Sequence, residues 1–312
     1  MTFFLIRRLT AGLALVVIVT ALTALFIYGG GTDIARNIVG NTATEAQVAQ
    51  RATELGLDRP PIEQYLAWFG GVLHGDMGKS FYNSEPVSQA LANRIPVTLS
   101  IVIGAVLFTA IVGAFLGVLS AVRRGWIDRV VQVFNVVSGA LPTFWVGLVL
   151  VAIFAINLKI FPATGYTPPS VDPARWILGL VLPVTALVLG SLGVAAIVRS
   201  SVIDVLRLDF VRTLRAHGLS RQEVLYKHVL RNAAPPFLTV ISMQFIGLMG
   251  GAVVIERVFA IPGLGLLATD STQRGDVPVV LGVVIVSVLV IVVVNLIVDI
   301  LSGWLNPKAR IV

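Results

Sequence analysis

Six long, mostly uncharged apolar stretches recur along the chain, and they constrain its fold more than any other feature. A helix needs roughly 20 apolar residues to cross a hydrocarbon core about 30 Å thick, because each buried peptide group must be hydrogen-bonded within its own segment. The composition agrees, since 56% of the residues are hydrophobic and 12% are charged, whereas soluble domains carry about a quarter charged residues. We therefore predict an all-α, polytopic membrane protein with about six transmembrane helices. The stretches are Leu9–Tyr28, Val97–Val122, Val130–Leu158, Trp176–Val198, Phe237–Val258 and Val277–Leu305.

Three of these stretches carry local signals. The first follows Arg7 and Arg8, and a positive start before an apolar core is also typical of a secretory signal peptide. Because the apolar run is long and no clear small-x-small cleavage site follows it, we expect a retained helix. Pro142 and Pro183 lie inside the third and fourth stretches, where a proline permits a kink.

The distribution of basic residues orients these helices. With the N-terminus inside, the inner segments hold 14 Lys and Arg in 60 residues, and the outer segments hold eight in 103. This is the positive-inside pattern, which also accounts for the net charge of +7 without nucleic-acid binding. Both termini are predicted to be cytoplasmic. The predicted regions are an N-terminal transmembrane helix (1–29), an extracytoplasmic helical region (30–95), a five-helix core (96–305) with a cytoplasmic loop (199–236), and a cytoplasmic tail (306–312).

The cytoplasmic loop has explicit local chemistry. Gly218 is placed to end a helix, since glycine accepts the left-handed conformation found there. Ser220 and Glu223 then have the spacing of a capping box, in which each side chain bonds the other residue's amide. Leu219 and Val224 flank the cap as a hydrophobic staple. The pattern predicts a helix, a sharp glycine turn and a short capped helix.

The short helix has an apolar stripe, formed by Val224, Leu225, His228 and Val229. Such a stripe on a water-facing loop indicates that the helix docks against something. Pro235 and Pro236 are expected to open helix five, where missing amide protons cost little. A basic, solvated loop and a DNA-reading helix-turn-helix compete with the docking interpretation, although tethering between membrane helices disfavours DNA binding.

Ala216-His217-Gly218, followed by His228-Val229-Leu230-Arg231-Asn232, resembles the EAA loop of binding-protein-dependent ABC importer permeases. Arg212-Thr213-Leu214 stands in place of EAA, and Arg231 stands in place of a proline. These departures are similar to the oligopeptide and dipeptide permease branch, whose loops read R-x-x-R-A-x-G and H-x-L-R-N.

Further segments across the chain resemble the same branch. They are Leu57-Asp58-Arg59-Pro60 with Gln64, Tyr65 and Trp68; Gly75-Asp76-Met77-Gly78-Lys79-Ser80; Arg94-Ile95-Pro96-Val97-Thr98-Leu99; Glu256-Arg257-Val258-Phe259 with Ile261-Pro262-Gly263-Leu264-Gly265; and Asn295, Asp299 and Asn306-Pro307-Lys308-Ala309-Arg310.

The resemblance implies a type I ABC importer permease fold in a bacterial cytoplasmic membrane. It implies inward movement of di- or oligopeptides by alternating access, with metal chelates or glutathione as alternative cargo. The implied partners are membrane lipid, a second homologous permease chain, two cytoplasmic ATPase subunits that bind ATP and Mg²⁺, and an external binding protein. No cofactor is expected on this chain. Pro262, Gly263 and Gly265 would form a structural outer turn. The residues implied in ATPase coupling are Arg212, Arg215, Ala216, Gly218, Leu219, Ser220, Glu223, Val224, Leu225, His228, Leu230 and Arg231.

Other motifs point away from catalysis. Gly78-Lys79-Ser80 echoes a phosphate-binding loop, but Leu73 occupies the position of that motif's first glycine, so we expect no ATP binding here. His74, His217 and His228 lack metal-ligand spacing, and the chain has no cysteine. We predict neither a catalytic nor a metal site, which leaves a membrane hydrolase without support.

Asn295 and Asp299 are polar residues inside the last stretch. Ionisable groups in membrane helices are costly and are functional candidates, and an ion-coupled secondary carrier could use such a carboxylate. Asp299 lies near the inner end of its helix, so pairing with a loop or neighbouring-chain arginine is the favoured role.

Overall fold

In a computed structural model the chain is described over residues 2–28, 31–40 and 42–305, and across these ranges it forms helices and no strand. The all-α prediction is confirmed. The predicted tail at 306–312 lies outside the described residues. The helices are α1 (Thr2–Tyr28), α2 (Gly31–Val39), α3 (Glu45–Glu54), α4 (Pro61–Leu73), α5 (Val87–Val122), α6 (Trp126–Ala140), α7 (Thr143–Leu150, continued by a π-helix at Val151–Asn157), α8 (Pro173–Leu189), α9 (Val194–Leu206), α10 (Asp209–Ala216), α11 (Arg221–Glu223, continued by a π-helix at Val224–Val229), α12 (Leu230–Val258), α13 (Leu264–Arg274) and α14 (Val277–Leu305).

Four helical stretches of the described chain are long and apolar enough to cross a membrane, and two bent helix pairs raise the number to six if each is one span. The four are Ile6–Tyr28, Val87–Val122, Arg221–Val258 and Val277–Trp304. The pairs are α6 with α7 and α8 with α9. About six spans were predicted from the sequence, whereas the predicted sidedness of the regions between them stays a prediction.

The two bends have different causes. Helices α6 and α7 meet at 99°, where Leu141 is extended because the residue before a proline is forced out of the helical region. Helices α8 and α9 meet at 56° across Gly190–Gly193, while Pro183 lies inside α8. The break between α6 and α7 therefore falls at Pro142, where a kink was predicted, whereas α8 continues unbroken through Pro183.

Pro235 and Pro236 do not open a helix, which corrects the prediction. The helix runs without a break from Arg221 through the π-helical turn into α12, and both prolines lie inside it. An interior proline leaves the carbonyl four residues earlier without its amide partner. Those carbonyls belong to Arg231 and Asn232, which are exposed, so water can satisfy them.

The described part of the chain divides into two compact units, one within Met1–Thr98 and Pro262–Val292 and one within Leu99–Ile261 and Val293–Val312. The first has a core of α1, α2, α3 and α4 residues with the start of α14, including Ala24, Val48, Tyr65 and Leu281.

In the second unit α5 packs closely on α9, because a Cβ at Gly117 would lie 2.6 Å from the Ala195 carbonyl oxygen. That unit holds the cytoplasmic loop predicted above.

Candidate functional site: the loop between α9 and α12

The glycine turn of the loop has the geometry of a Schellman motif. Helix α10 ends at Ala216, and Gly218 follows with φ +85°. The Leu219 amide donates to the Leu214 carbonyl at 3.3 Å, and the Gly218 amide donates to the Arg215 carbonyl at 3.0 Å. A Cβ built on Gly218 would meet no atom within 4 Å. Glycine is therefore required by the backbone angle and not by lack of space.

The capping box forms only in part. The Ser220 hydroxyl accepts the Glu223 amide at 3.2 Å, as predicted. The Glu223 carboxylate, however, accepts from the Lys227 ammonium at 2.7 Å, and no reciprocal bond to the Ser220 amide is formed among the described atoms. An i,i+4 Glu–Lys pair on the same helix face competes for that carboxylate.

The apolar stripe of the short helix is used inside the chain, which corrects the docking interpretation. Val224 and Val229 are fully buried, and Leu225 packs beside them. Leu219 and Leu230 join the same cluster, and His228 is half-buried. Sequence periodicity shows that a helix face is apolar, but not whether the same chain or a partner protein covers it. The covering residues are Ala121, Val194, Val198, Val202, Ile203, Val211 and Ala233.

Other large apolar residues of the loop stay exposed. Leu208, Phe210 and Tyr226 are exposed, Tyr226 by 66%, and basic side chains flank them. We call Leu208, Phe210 and Tyr226, with Arg212, Arg215, Arg221 and Lys227, the loop surface. The sequence analysis missed its three apolar members, although large apolar residues off the buried face of a loop helix were the available signal.

Most other predicted loop residues also lie in water. Arg212, Arg215, Ala216 and Arg231 are exposed. Arg212 pairs with Asp209 at 3.5 Å, and both side chains are so exposed that the pair adds little stability.

An ion pair ties the loop to the membrane helices. Arg199 on α9 donates two hydrogen bonds to the carboxylate of Asp128 in the first turn of α6, both at 2.6 Å. The hydroxyl of Ser120, near the end of α5, donates to the same carboxylate. A bidentate arginine–carboxylate pair fixes orientation as well as distance. Three helices are thereby joined at the point where α9 leads into the loop.

The predicted outer turn follows α12. Ala260 takes a left-handed conformation with φ +48°, and the Ile261 amide donates to the Glu256 carbonyl at 2.8 Å. This is again a Schellman arrangement.

Pro262 precedes the start of α13, where Gly263 and Gly265 are buried. The Leu264 amide between them donates to the Thr98 hydroxyl at 2.7 Å. These contacts give the turn a structural role.

The polar residues of α14 lie beside α12. The Asn295 side chain accepts a hydrogen bond from the Ser242 hydroxyl, and Asp299 is half-buried one turn further on. An arginine partner for Asp299 stays a prediction. A second polar contact joins α12 to the α8–α9 bend, where Gln244 donates to Ser191 at 2.6 Å.

The motif that resembles a phosphate-binding loop and two of the histidines make local contacts. Gly78-Lys79-Ser80 lies between α4 and α5, and the Ser80 hydroxyl donates to the Asp276 carboxylate at 2.5 Å. No cluster of three or more potential metal ligands occurs among the described residues. His217 ends α10, and His74 contacts the Gly70 carbonyl oxygen at 2.8 Å.

Comparison with known proteins gives concordant matches. The family described as binding-protein-dependent transport system inner membrane component matches residues 112–311, and its N-terminal companion matches residues 1–102. A putative peptide transport system permease protein of Brucella abortus (strain 2308) is 37% identical over 312 residues, covering 99% of each chain. The dipeptide transport system permease protein of Escherichia coli (strain K12) is 36% identical over 335 residues, covering 98% of each.

A solved structure has the same fold. The MetNI methionine ABC transporter, in an inward facing conformation, matches with a TM-score of 0.59 at 18% identity, covering 72% of this chain and 99% of that chain. At that identity the match speaks for the fold alone, and it confirms the predicted type I permease fold.

Proposed function

The chain belongs to the family of binding-protein-dependent transport system inner membrane components, and from that premise we propose that it is the permease subunit of an ATP-driven importer of short peptides. The peptide cargo is supported by the names of full-length relatives in Brucella and Escherichia coli. The multi-pass helical fold supplies the membrane path.

The loop surface carries the proposal that this permease is driven by a separate ATPase. Leu208, Phe210 and Tyr226 keep apolar area in water on a loop whose other large apolar residues are packed inside. Aromatic and arginine side chains are enriched at protein interfaces, and both kinds are present here. We assign this surface to contact with a cytoplasmic ATPase subunit.

The connections of the loop suggest how movement would pass into the membrane. On one side the helix from Arg221 to Val258 is continuous, so a displacement of the loop is transmitted along it. On the other side the Arg199–Asp128 pair couples α9 to α6. Closure of the ATPases would shift both connections together, and the spans would follow as levers between inward and outward access.

The remaining parts of the assembly are proposed from family membership. A second homologous permease chain completes the path, two ATPases bind ATP and Mg²⁺, and an external binding protein delivers the peptide. This chain needs no cofactor of its own. The basic inner loops support a location in the bacterial cytoplasmic membrane with both termini cytoplasmic.

Replacing an exposed member of the loop surface tests the docking role. Tyr226→Glu places a charge on that surface without opening a cavity, since the side chain is 66% exposed. We expect the ATPase subunits to dissociate during affinity purification of the membrane complex. Val171→Glu is the matched control, because Val171 is 75% exposed between α7 and α8, a segment predicted to lie outside.

The control complex should retain its ATPases. If the Tyr226→Glu complex retains them equally well and keeps peptide-stimulated ATP hydrolysis, the loop surface is not the docking site. Quantification of the ATPase-to-permease ratio in the purified complex gives the measurement.

A further inference from the structure

Helix α4 carries an apolar stripe that no other described part of the chain covers. Ile62, Leu66 and Leu73 are exposed, Leu66 by 60%, and half-buried Phe69 completes the row. Their spacing of four, three and four residues puts them on one face of the helix. In the sequence this helix falls within 30–95, the region predicted to be extracytoplasmic and outside the spans. Exposed leucines in such a row are costly in water.

Contacts on the opposite face of α4 show how far along α1 this helix lies. The Tyr65 hydroxyl lies 3.0 Å from the Thr20 hydroxyl oxygen and 3.2 Å from the Val17 carbonyl oxygen. At 1.5 Å rise per residue, Thr20 lies about 12 Å and Val17 about 17 Å along α1 from its end at Tyr28. The contact is therefore far from the end of the helix.

Depth in the bilayer follows from the charges on α1. The 20 residues after Arg8 are uncharged and end at Tyr28, and they rise about 30 Å, the thickness of the hydrocarbon core. Tyr28 thus marks one edge of the core. A helix that contacts Thr20 and Val17 lies well inside that edge.

The residues around the end of α4 reach a similar depth on two spans. Val72 and Met77 pack against a cluster of Val16 on α1 with Ile285 and Val288 on α14. Val16 is about 18 Å from Tyr28 along α1, and Val288 about 17 Å from the start of α14. The end of α4 therefore lies beside two spans, and the chain returns to the start of α14 at Gly78, where a Cβ would lie 3.6 Å from the Pro278 Cβ.

The turn after α4 makes several hydrogen bonds within the protein. The amides of His74, Gly75 and Asp76 donate to carbonyls of Gly71 and Val72 at 2.9 to 3.0 Å. The Gly78 amide donates to the Asp76 carboxylate at 2.8 Å, and the Trp68 indole donates to the Met77 carbonyl at 3.1 Å. Four amides of this turn are thus satisfied within the protein, as irregular backbone near a hydrocarbon layer requires.

We propose that α4 is immersed in the leaflet on the Tyr28 side, the outer one in the predicted orientation, with Ile62, Leu66 and Leu73 facing lipid acyl chains. Ile18 and Leu22 of α1 are also exposed at this depth, as expected of residues that face lipid. The segment thus enters the membrane from the side on which the binding protein is expected, without crossing it.

Site-directed spin labelling tests this position directly, because the chain has no native cysteine. Leu66→Cys carries the label on the stripe, and Leu73→Cys is a second stripe position. Leu22→Cys is the lipid reference, since Leu22 is 52% exposed on α1. Ala49→Cys on α3 is the water reference, since Ala49 is exposed outside the spans. None of these substitutions removes a buried contact.

The measurement is collision of each nitroxide with oxygen, which concentrates in the bilayer, and with a water-soluble nickel chelate. The assembled complex in proteoliposomes is used, and the complex containing the cysteine-free chain gives the background. We expect the labels at Leu66 and Leu73 to match Leu22, with a high oxygen-to-nickel collision ratio, and to differ from Ala49.

Two results would overturn the proposal. Labels at the stripe that match Ala49 would place α4 in water. Labels that are immobile and shielded from both oxygen and the nickel chelate would mean that a protein, such as the second permease chain, covers the stripe. Neither result would affect the proposed ATPase docking, which rests on a different surface.

Discussion

Substitution of Gly218 by asparagine, alanine and valine separates backbone geometry from contact in the coupling loop. The residue has φ +85°, and a Cβ there meets no atom within 4 Å. The whole cost is then conformational, about 1 to 2 kcal/mol for alanine. Asparagine tolerates the left-handed region and should cost less, whereas β-branched valine should cost more.

A cost of 1 to 2 kcal/mol changes a local equilibrium by a factor of about 5 to 30. We therefore expect peptide-stimulated ATP hydrolysis and uptake to fall in the order asparagine, alanine, valine, with valine near zero. All three chains should insert into the membrane normally, because Gly218 lies in an exposed turn. The assay is ATPase activity and peptide uptake of the reconstituted complex, with membrane content measured by immunoblot.

Two outcomes would refute this reasoning. Normal coupling in Gly218→Val would mean that the Schellman turn is not needed for transmission. Losses that follow side-chain size, with asparagine and valine both worse than alanine, would mean that a partner crowds the site and that volume, not the backbone angle, decides.

Three further predictions follow from local contacts. Arg199→Ala leaves the Asp128 carboxylate without its cation and removes two charge-assisted hydrogen bonds, so we expect about 2 kcal/mol of lost stability and weaker coupling, read from thermal unfolding and from ATP hydrolysed per peptide transported. Ser220→Ala removes the cap of α11 and should cost about 1 kcal/mol, seen as faster amide exchange at residues 221–224. Burial raises the pKa of Asp276, so ionisation is costlier in the folded state and stability declines as pH rises above about 4. Asp276→Asn should therefore be relatively more stable at neutral pH, and thermal unfolding should show this advantage shrink as pH falls toward about 4 and change little below it.

Hydrophobicity and charge predicted the spans and the loop, because those properties belong to continuous segments. The turn at Gly218 and the cap at Ser220 were also accessible, since their chemistry is local. A kink at Pro142 was predicted because an interior proline permits one, but the same signal at Pro183 gives no break in α8. The prediction for Pro235 and Pro236 was wrong, because the carbonyls that they leave without an amide partner, those of Arg231 and Asn232, lie where water can reach them.

Features that depend on distant segments could not be predicted from the sequence. Arg199 and Asp128 are 71 residues apart, and nothing in either neighbourhood indicates the other. The stripe containing Val224 was correctly identified as apolar, but its partner is its own chain. Likewise, α4 was expected in water because its segment carries charges and turns, whereas its contact with Thr20 places it alongside a span.

Transport by the purified complex tests the central claim most directly. The permease pair, the ATPases and the binding protein are reconstituted in vesicles, and accumulation of a labelled dipeptide is followed with ATP present or absent and with a proton gradient imposed or collapsed. We expect accumulation that requires ATP, is unaffected by collapsing the gradient, and is lost in the Gly218→Val complex. Accumulation driven by the proton gradient without ATP would contradict the account and identify the chain as an ion-coupled carrier.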